Sequence, residues 1–165
     1  MNRDPLPLPR TLFGIAAAFC ATLLAYAYYT QYGLGYEPCP LCILQRIAVF
    51  ATGLVFLLAA VHAPQATGRR VYGVLGFLFA GAGAVIAARH VWLQNLPPDQ
   101  VPDCGPGLEY MFDVFPAWDA LRMVFAGSGE CADIDWALLG LSMPGWVLIC
   151  VVSLSVFSIW NGFRK

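Results

Sequence analysis

The feature that most constrains this chain is where its charges are missing. Four stretches, Thr11–Tyr36, Ile47–Ala66, Val71–Ala88 and Met143–Phe163, contain no Asp, Glu, Lys or Arg. A helix rises about 1.5 Å per residue, so a hydrocarbon core of about 30 Å asks for roughly 20 apolar residues in a row. Each stretch, with its flanks, can supply them. Composition agrees, because 59% of the 165 residues are hydrophobic and only 12% charged, where a soluble domain carries roughly 25% charged residues. The expectation is an all-α four-transmembrane-helix bundle forming one integral-membrane domain over residues 1–165. Its helices should lie near 11–32, 41–62, 71–92 and 144–163, joined on one side by loops near 33–40 and 93–143. The N-terminal "MNRDPLPLPRTLFG" could open a cleaved signal peptide, but its apolar run continues into tyrosines, which reads as a retained helix. Net charge is -1 with no basic block, so nucleic-acid binding has no support.

Orientation follows the basic residues. Arg3 and Arg10 precede the first helix, Arg69 and Arg70 link the second and third, and Arg164 and Lys165 end the chain. In an up-and-down bundle these segments share a side, and the positive-inside rule makes that side cytoplasmic. The long loop opposite has Arg122 as its one basic residue against Asp99, Asp103, Glu109, Asp113, Asp119, Glu130, Asp133 and Asp135. Four of the six cysteines then fall on the outer side: Cys39, Cys42, Cys104 and Cys131. In an oxidising compartment paired thiols read as disulfides.

Cys39 and Cys42 form a C-x-x-C, "CPLC", at the head of the second span. Pro40 suits the first helical position, which makes Cys39 the N-cap and Cys42 the third helical residue. Both sulfurs then sit by unpaired N–H groups at the positive end of the helix dipole, which favours the reactive thiolate. Arg46 lies four residues further on the same face. There it can snorkel to the interface, or hold an anion at membrane depth: the Cys42 thiolate or a reduced lipid-soluble quinone. Zinc would want four ligands. No second C-x-x-C exists and His62 belongs to the cytoplasmic end, so no metal site is expected.

Cys104 and Cys131 could staple the long loop, a ring that would add roughly 3–4 kcal/mol in the chain-entropy model. The Pro- and Gly-rich "PPDQVPDCGPG" around Cys104 reads instead as mobile, which suits a disulfide opened by a visiting protein. Between the two cysteines, Trp118, Leu121, Met123, Val124 and Phe125 are expected on one side of a short interfacial helix, with Asp119 and Arg122 on the other. Two thiol pairs on one face would form an electron relay by thiol–disulfide exchange. Among acceptors for its electrons, no haem, flavin or cluster motif is present, which leaves a diffusible membrane oxidant such as a quinone.

The chain resembles the DsbB family of bacterial inner-membrane disulfide bond formation proteins. The likeness rests on "CPLC" followed by Arg46, the spaced loop pair, and "SGEC" with "DWALLGLSMPGW" before the last span, and covers nearly the whole chain. The resemblance, rather than any spacing, implies the part such proteins play with DsbA and quinone in keeping the periplasm oxidising. By it, Cys104 receives a reduced DsbA-like periplasmic thiol oxidase, Cys131 pairs transiently with Cys39, and Cys42 passes electrons to ubiquinone or menaquinone, bound non-covalently. Arg46 and His90 would be the quinone-binding residues, with Arg89 and Gln94 as secondary candidates. It also implies an inner-membrane location, an active site on the periplasmic face, redox-active disulfides as the protein's own carriers and no metal. The proline inside "CPLC" departs from the family pattern, and Cys20 and Cys150 lie outside the relay, suiting small buried hydrophobes.

Three rivals remain at this level. A vitamin K epoxide reductase-like bundle runs related chemistry but places its C-x-x-C after the loop cysteines. A tetraspanin-like structural bundle would explain Cys104 and Cys131 while leaving "CPLC" and Arg46 idle. A metal-handling membrane protein would bind metal through Cys39 and Cys42.

Overall fold

The computed structural model describes residues 9–103, 108–134 and 136–164. Arg3, Cys104, Asp135 and Lys165, all used in the sequence reading, lie outside the described residues.

Among the described residues, four helices are long and apolar enough to cross a membrane: α1 (Pro9–Leu34), α2 (Pro40–His62), α3 (Ala66–Gln94) and, last in the chain, α6 (Met143–Phe163). The chain is thus an all-α four-helix bundle. α1, α2 and α3 begin before their charge-free stretches, whereas α6 coincides with its own. α3 in particular starts at Ala66 and takes in Arg69 and Arg70, because a charge ends the hydrocarbon-compatible run without breaking backbone hydrogen bonding. Pro40 opens α2, and α2 ends at Ala63, left-handed at φ 44°, just before Pro64, which cannot continue a helix.

Packing is set by small residues. α6 packs chiefly on α3 and α1 chiefly on α2. At Gly73 a Cβ would stand 2.8 Å from the Ser158 carbonyl oxygen and 2.9 Å from the Gly162 Cα. Two backbones therefore touch at a place where only glycine fits, the usual way apolar helices associate without a hydrophobic drive between them. Arg69 donates to the carbonyls of Gly162, at 3.4 Å, and Arg164, binding the C-terminal end of α6. The Asn161 amide donates to the Pro9 carbonyl at 3.3 Å. These contacts put the start of α1, the α2–α3 link and the end of α6 at one end of the bundle.

At the opposite end the segment between α3 and α6 folds over the bundle. It contains α4 (Leu108–Val114), α5 (Ala117–Ala126), a 3-10 turn at Gly129–Cys131, and a two-residue hairpin, β1 (Ala137–Leu138) with β2 (Leu141–Ser142). The hairpin and α4 are absent from the sequence reading. α5 falls on the expected interfacial helix, but its faces differ: Ala120 and Val124 are buried, while Trp118 is 64% exposed with the Arg122 guanidinium 5.4 Å above its ring. Trp118 and Arg122 are four residues apart and so share a face. The small Ala120 allows close approach to the bundle, and the bulky indole is left outside.

Buried side chains form two clusters. One, around Phe13, Val49, Phe56, Ala80, Val151 and Leu154, fills the bundle. The other, at the loop end, joins Cys39, Leu41, Ile86, Leu93, Met111, Ala120, Val124 and Cys131. Cys39 and Cys131 are thus part of the packing that holds the loop down.

Candidate active site

The site starts at the first turn of α2. Cys39 is the N-cap, with extended φ -65° and ψ 163°, and Pro40 follows as the first helical residue. The backbone N–H of Cys42 donates to the Cys39 sulfur at 3.4 Å, and the two sulfurs are 3.1 Å apart. Pro40 lacks an N–H and has its φ fixed, so it opens the helix without cost and directs the Cys39 sulfur back over the exposed N–H groups. The five described cysteines are free thiols.

His90 comes from α3. It is not a solvated interfacial histidine: it is 2% exposed, with Nε2 3.7 Å from the Cys39 sulfur. Its Nδ1 lies 3.0 Å from the side-chain nitrogen of Gln45, which is 4% exposed. With the Gln45 NH₂ donating to Nδ1, the imidazole proton sits on Nε2 and points at the sulfur. With the amide turned over, Nδ1–H donates to its oxygen and Nε2 presents a lone pair. Gln45 is one helical turn from Cys42 and escaped the sequence reading. The available signal was a neutral polar residue inside an apolar span, where such groups need a partner.

Arg46 is directed at α1. Its guanidinium donates to the side-chain oxygen of Gln31 and, at 3.0 Å, to the Ala27 carbonyl, and lies 5.3 Å from the centroid of the Tyr28 ring. These partners fix its position instead of leaving it to snorkel freely. Arg46 and Cys42 together line a mainly apolar cleft between α1, α2 and α6, completed by Leu23, Leu24, Ala27, Gln45, Val49, Met143, Pro144 and Val147. A second, more polar cleft of about 560 Å³ opens over Cys39, Cys42 and His90, with Glu37, Glu130 and Asp133 among its walls.

Cys131 reaches the site from the loop. It is fully buried in its 3-10 turn, with the Ser128 hydroxyl 3.8 Å from its sulfur. A hydrogen bond to the Cys39 side chain, then burial and the charge Cys39 can carry, push the Cys131 thiol well above its ordinary value of 9.0. Backbone N–H groups of Ser128 and Leu41 pull the other way and do not prevail. Burial and the neighbouring Cys39 thus favour the neutral thiol at Cys131 in the dithiol state.

The loop is latched from α3. Arg89 donates to the carbonyls of Phe125 at 3.2 Å and Ala126 at 2.9 Å, at the end of α5, while stacking 4.2 Å from the Trp92 centroid. Gln94 donates to the Asp133 carbonyl at 3.3 Å and accepts from the Ser142 hydroxyl at 2.6 Å. Gly127, at φ 86°, lets the chain turn directly over Leu93, where a Cβ would meet the leucine at 2.4 Å. Arg89 and Gln94 are thus placed against the loop backbone.

The ligand atoms of Cys39, Cys42 and His90 lie within 4.8 Å of one another. From the sequence no metal site is expected, because no second C-x-x-C completes four ligands and His62 belongs to the cytoplasmic end, while His90 enters there only as a quinone-binding candidate. The fold supplies this histidine from α3, fifty-one positions away from Cys39. Cys20 is buried in the bundle core and Cys150 half-buried in α6, both away from this cluster.

The chain matches, over residues 9–161, the model of a family described as Disulfide bond formation protein DsbB. A Disulfide bond formation protein B of Methylococcus capsulatus is 55% identical over 96% of this chain and 99% of its own length. Its namesake in Saccharophagus degradans is 54% identical over 100% of this chain and 99% of its own. A third, from Stutzerimonas stutzeri, is 45% identical over 97% and 98%.

Proposed function

Because this four-helix membrane protein belongs to the DsbB family of disulfide bond formation proteins, we propose that it reoxidises a DsbA-like periplasmic dithiol and hands the electrons to membrane quinone. The observation that carries this reading is the packing of Cys131 in one buried cluster with Cys39 at the N-cap of α2, while Cys42 lines an apolar cleft beside Arg46. Family membership also sets aside the vitamin K epoxide reductase-like and tetraspanin-like readings.

The exchange runs as follows. The partner's thiolate attacks the Cys104–Cys131 disulfide at Cys104, and Cys131 leaves as a thiolate. Support for that pairing comes from the Gly129 N–H, which donates at 3.3 Å to the carbonyl of Asp103, the neighbour of Cys104. Cys131 then attacks Cys39 in the Cys39–Cys42 disulfide and frees Cys42. The partner's second thiol displaces Cys104 and departs oxidised. Cys104 next attacks Cys131, restores the loop disulfide and releases Cys39. One partner dithiol has become a disulfide, and Cys39 and Cys42 hold its two electrons and two protons. His90 stabilises the departing Cys39 sulfur through Nε2–H, and the α2 N-terminus stabilises charge on Cys42.

Quinone, when bound, supplies an acceptor for two electrons and two protons. The residues present fit such a group. The cleft at Cys42 is lined mainly by apolar side chains, as small-molecule sites are, and Arg46 at its wall, held by Gln31 and Ala27, would offer charge to a quinone oxygen. The bundle end bearing Arg10, Arg69, Arg70 and Arg164 faces the cytoplasm of a bacterial inner membrane on this reading, and the site faces the periplasm.

The test couples two readouts in detergent-purified protein: loss of thiol from a reduced DsbA-like partner, and reduction of ubiquinone or menaquinone. Stoichiometric coupling is expected in wild type and should vanish in Cys42→Ser and Cys104→Ser. Arg46→Met should raise KM for quinone by about tenfold or more, the scale of a charge-assisted hydrogen bond, while mixed-disulfide formation with the partner stays intact. Partner oxidation without quinone reduction would overturn the reading.

A further inference from the structure

We propose that the dithiol form of this site chelates a thiophilic divalent cation of the zinc type through Cys39, Cys42 and His90, and that closing the Cys39–Cys42 disulfide abolishes the site. The three donors come from two helices and lie within 4.8 Å of one another, with Cys39 to Cys42 at 3.1 Å and Cys39 to His90 Nε2 at 3.7 Å. Zinc–sulfur and zinc–nitrogen bonds of about 2.3 and 2.0 Å at tetrahedral angles require donor separations of about 3.8 Å for two sulfurs and about 3.5 Å for sulfur and nitrogen. The Cys39–His90 separation already fits, whereas Cys42 must move away from Cys39 and close on His90 from within 4.8 Å, a change that requires rotation about its Cα–Cβ bond.

The surroundings are those of a ligand set. His90 keeps Nε2 towards the sulfurs because Nδ1 is held by Gln45. Turned to accept from Nδ1–H, that amide leaves the Nε2 lone pair for a metal, the usual outer support of a metal-bound histidine. The cleft over the three donors is lined by Glu37, Glu130 and Asp133, which draw cations in, and its one guanidinium, Arg46, is already engaged with α1. Solvent from this cleft completes a fourth position.

Binding exchanges two thiol protons for the cation and moves no electrons. Both sulfurs are then ligands, so neither is available for exchange, and the cation stalls the reduced enzyme. Oxidation joins the two sulfurs to each other and removes two of three donors. The stalling rests on the proposed relay, but the binding does not, since it needs neither partner nor quinone.

Cadmium, titrated into the full chain in detergent and followed by its ultraviolet thiolate charge-transfer band, tests the binding. Fully reduced protein, and reduced Cys104→Ser/Cys131→Ser protein, should each bind one equivalent at the C-x-x-C. Oxidised wild type should bind none, a comparison that involves no substitution and so no folding defect. His90→Ala should raise the cadmium Kd by at least about tenfold, and Gln45→Leu by about tenfold. Equal binding by oxidised protein would overturn the proposal. So would binding that disappears with the loop thiols, an unchanged Kd in both folded His90 and Gln45 variants, or no binding at all. Quinone reduction failing while cadmium still binds would refute the relay and leave this site standing.

Discussion

At the scale of single residues, the arrangement turns on a polar chain crossing two helices: the Gln45 amide, the His90 imidazole and the Cys39 sulfur. Each member is buried, so each depends on the next for its hydrogen bonding, and loss of one partner leaves the other unsatisfied at a cost of about 1–3 kcal/mol. Gln45→Leu is therefore expected to lower the thermal stability of the reduced protein in detergent by about that amount. It should also slow the step that releases Cys39 while leaving the attack of the partner on the loop disulfide unchanged. Trapping of mixed disulfides during turnover separates the two steps. Were both steps slowed equally, Gln45 would be acting on the fold and not on His90. Arg46 obeys a different logic: its charge is anchored on α1, so a ligand in the neighbouring cleft meets a cation whose position is already fixed.

At the scale of elements, two joints hold the loop and the bundle together. The first is the latch of Arg89 on the last carbonyls of α5, which positions the 3-10 turn carrying Cys131. Two exposed hydrogen bonds contribute about 1 kcal/mol or slightly more, so Arg89→Ala should slow exchange between the two cysteine pairs by about five- to tenfold. Rapid-quench thiol trapping would show it, with initial attack by the partner unaffected. An unchanged interpair rate would mean that the packing of Ala120 and Val124 suffices to hold the loop. The second joint is the glycine contact of α3 with α6. Gly73→Val would drive its side chain into the Ser158 carbonyl and the Gly162 backbone, neither of which can rotate away. Overpacking of this kind costs about 1–3 kcal/mol, expected as a lowered midpoint of thermal unfolding, whereas Ala at the exposed, unobstructed Gly140 turn should act through backbone strain alone.

For the whole molecule, protonation couples the loop to the bundle. The Cys131 thiol is held above its ordinary value of 9.0 by Cys39 and by burial. The folded dithiol protein thus keeps a proton that the unfolded chain releases as pH rises past about 9.0, so unfolded protein binds fewer protons there and stability falls. Below that pH the contribution is fully present. Reduced wild type should lose unfolding midpoint between about pH 8 and 10 more steeply than reduced Cys131→Ser, a window of about one unit either side of the ordinary thiol value. Identical slopes in the two proteins would show that Cys131 does not carry the coupling.

Much of this was legible in the residues. Four charge-free runs force four spans, because an unpaired charge or an open backbone group is costly in hydrocarbon. Pro40 fixes φ and lacks a donor, so the helix start, the N-cap role of Cys39 and the approach of Cys42 to it were local consequences of "CPLC". The family likeness could be read from motifs at fixed spacing for the same reason. What the sequence could not decide are contacts between elements far apart in the chain. That His90 turns inward to Cys39, that Gln45 holds it, that Arg46 bonds to Gln31 and Ala27, and that Ala120 rather than Trp118 faces the bundle depend on how helices rotate and approach one another. Those rotations are set by close packing, such as that of Gly73 on Gly162. Local chemistry fixes which groups are available, and only the packing of the helices decides which of them meet.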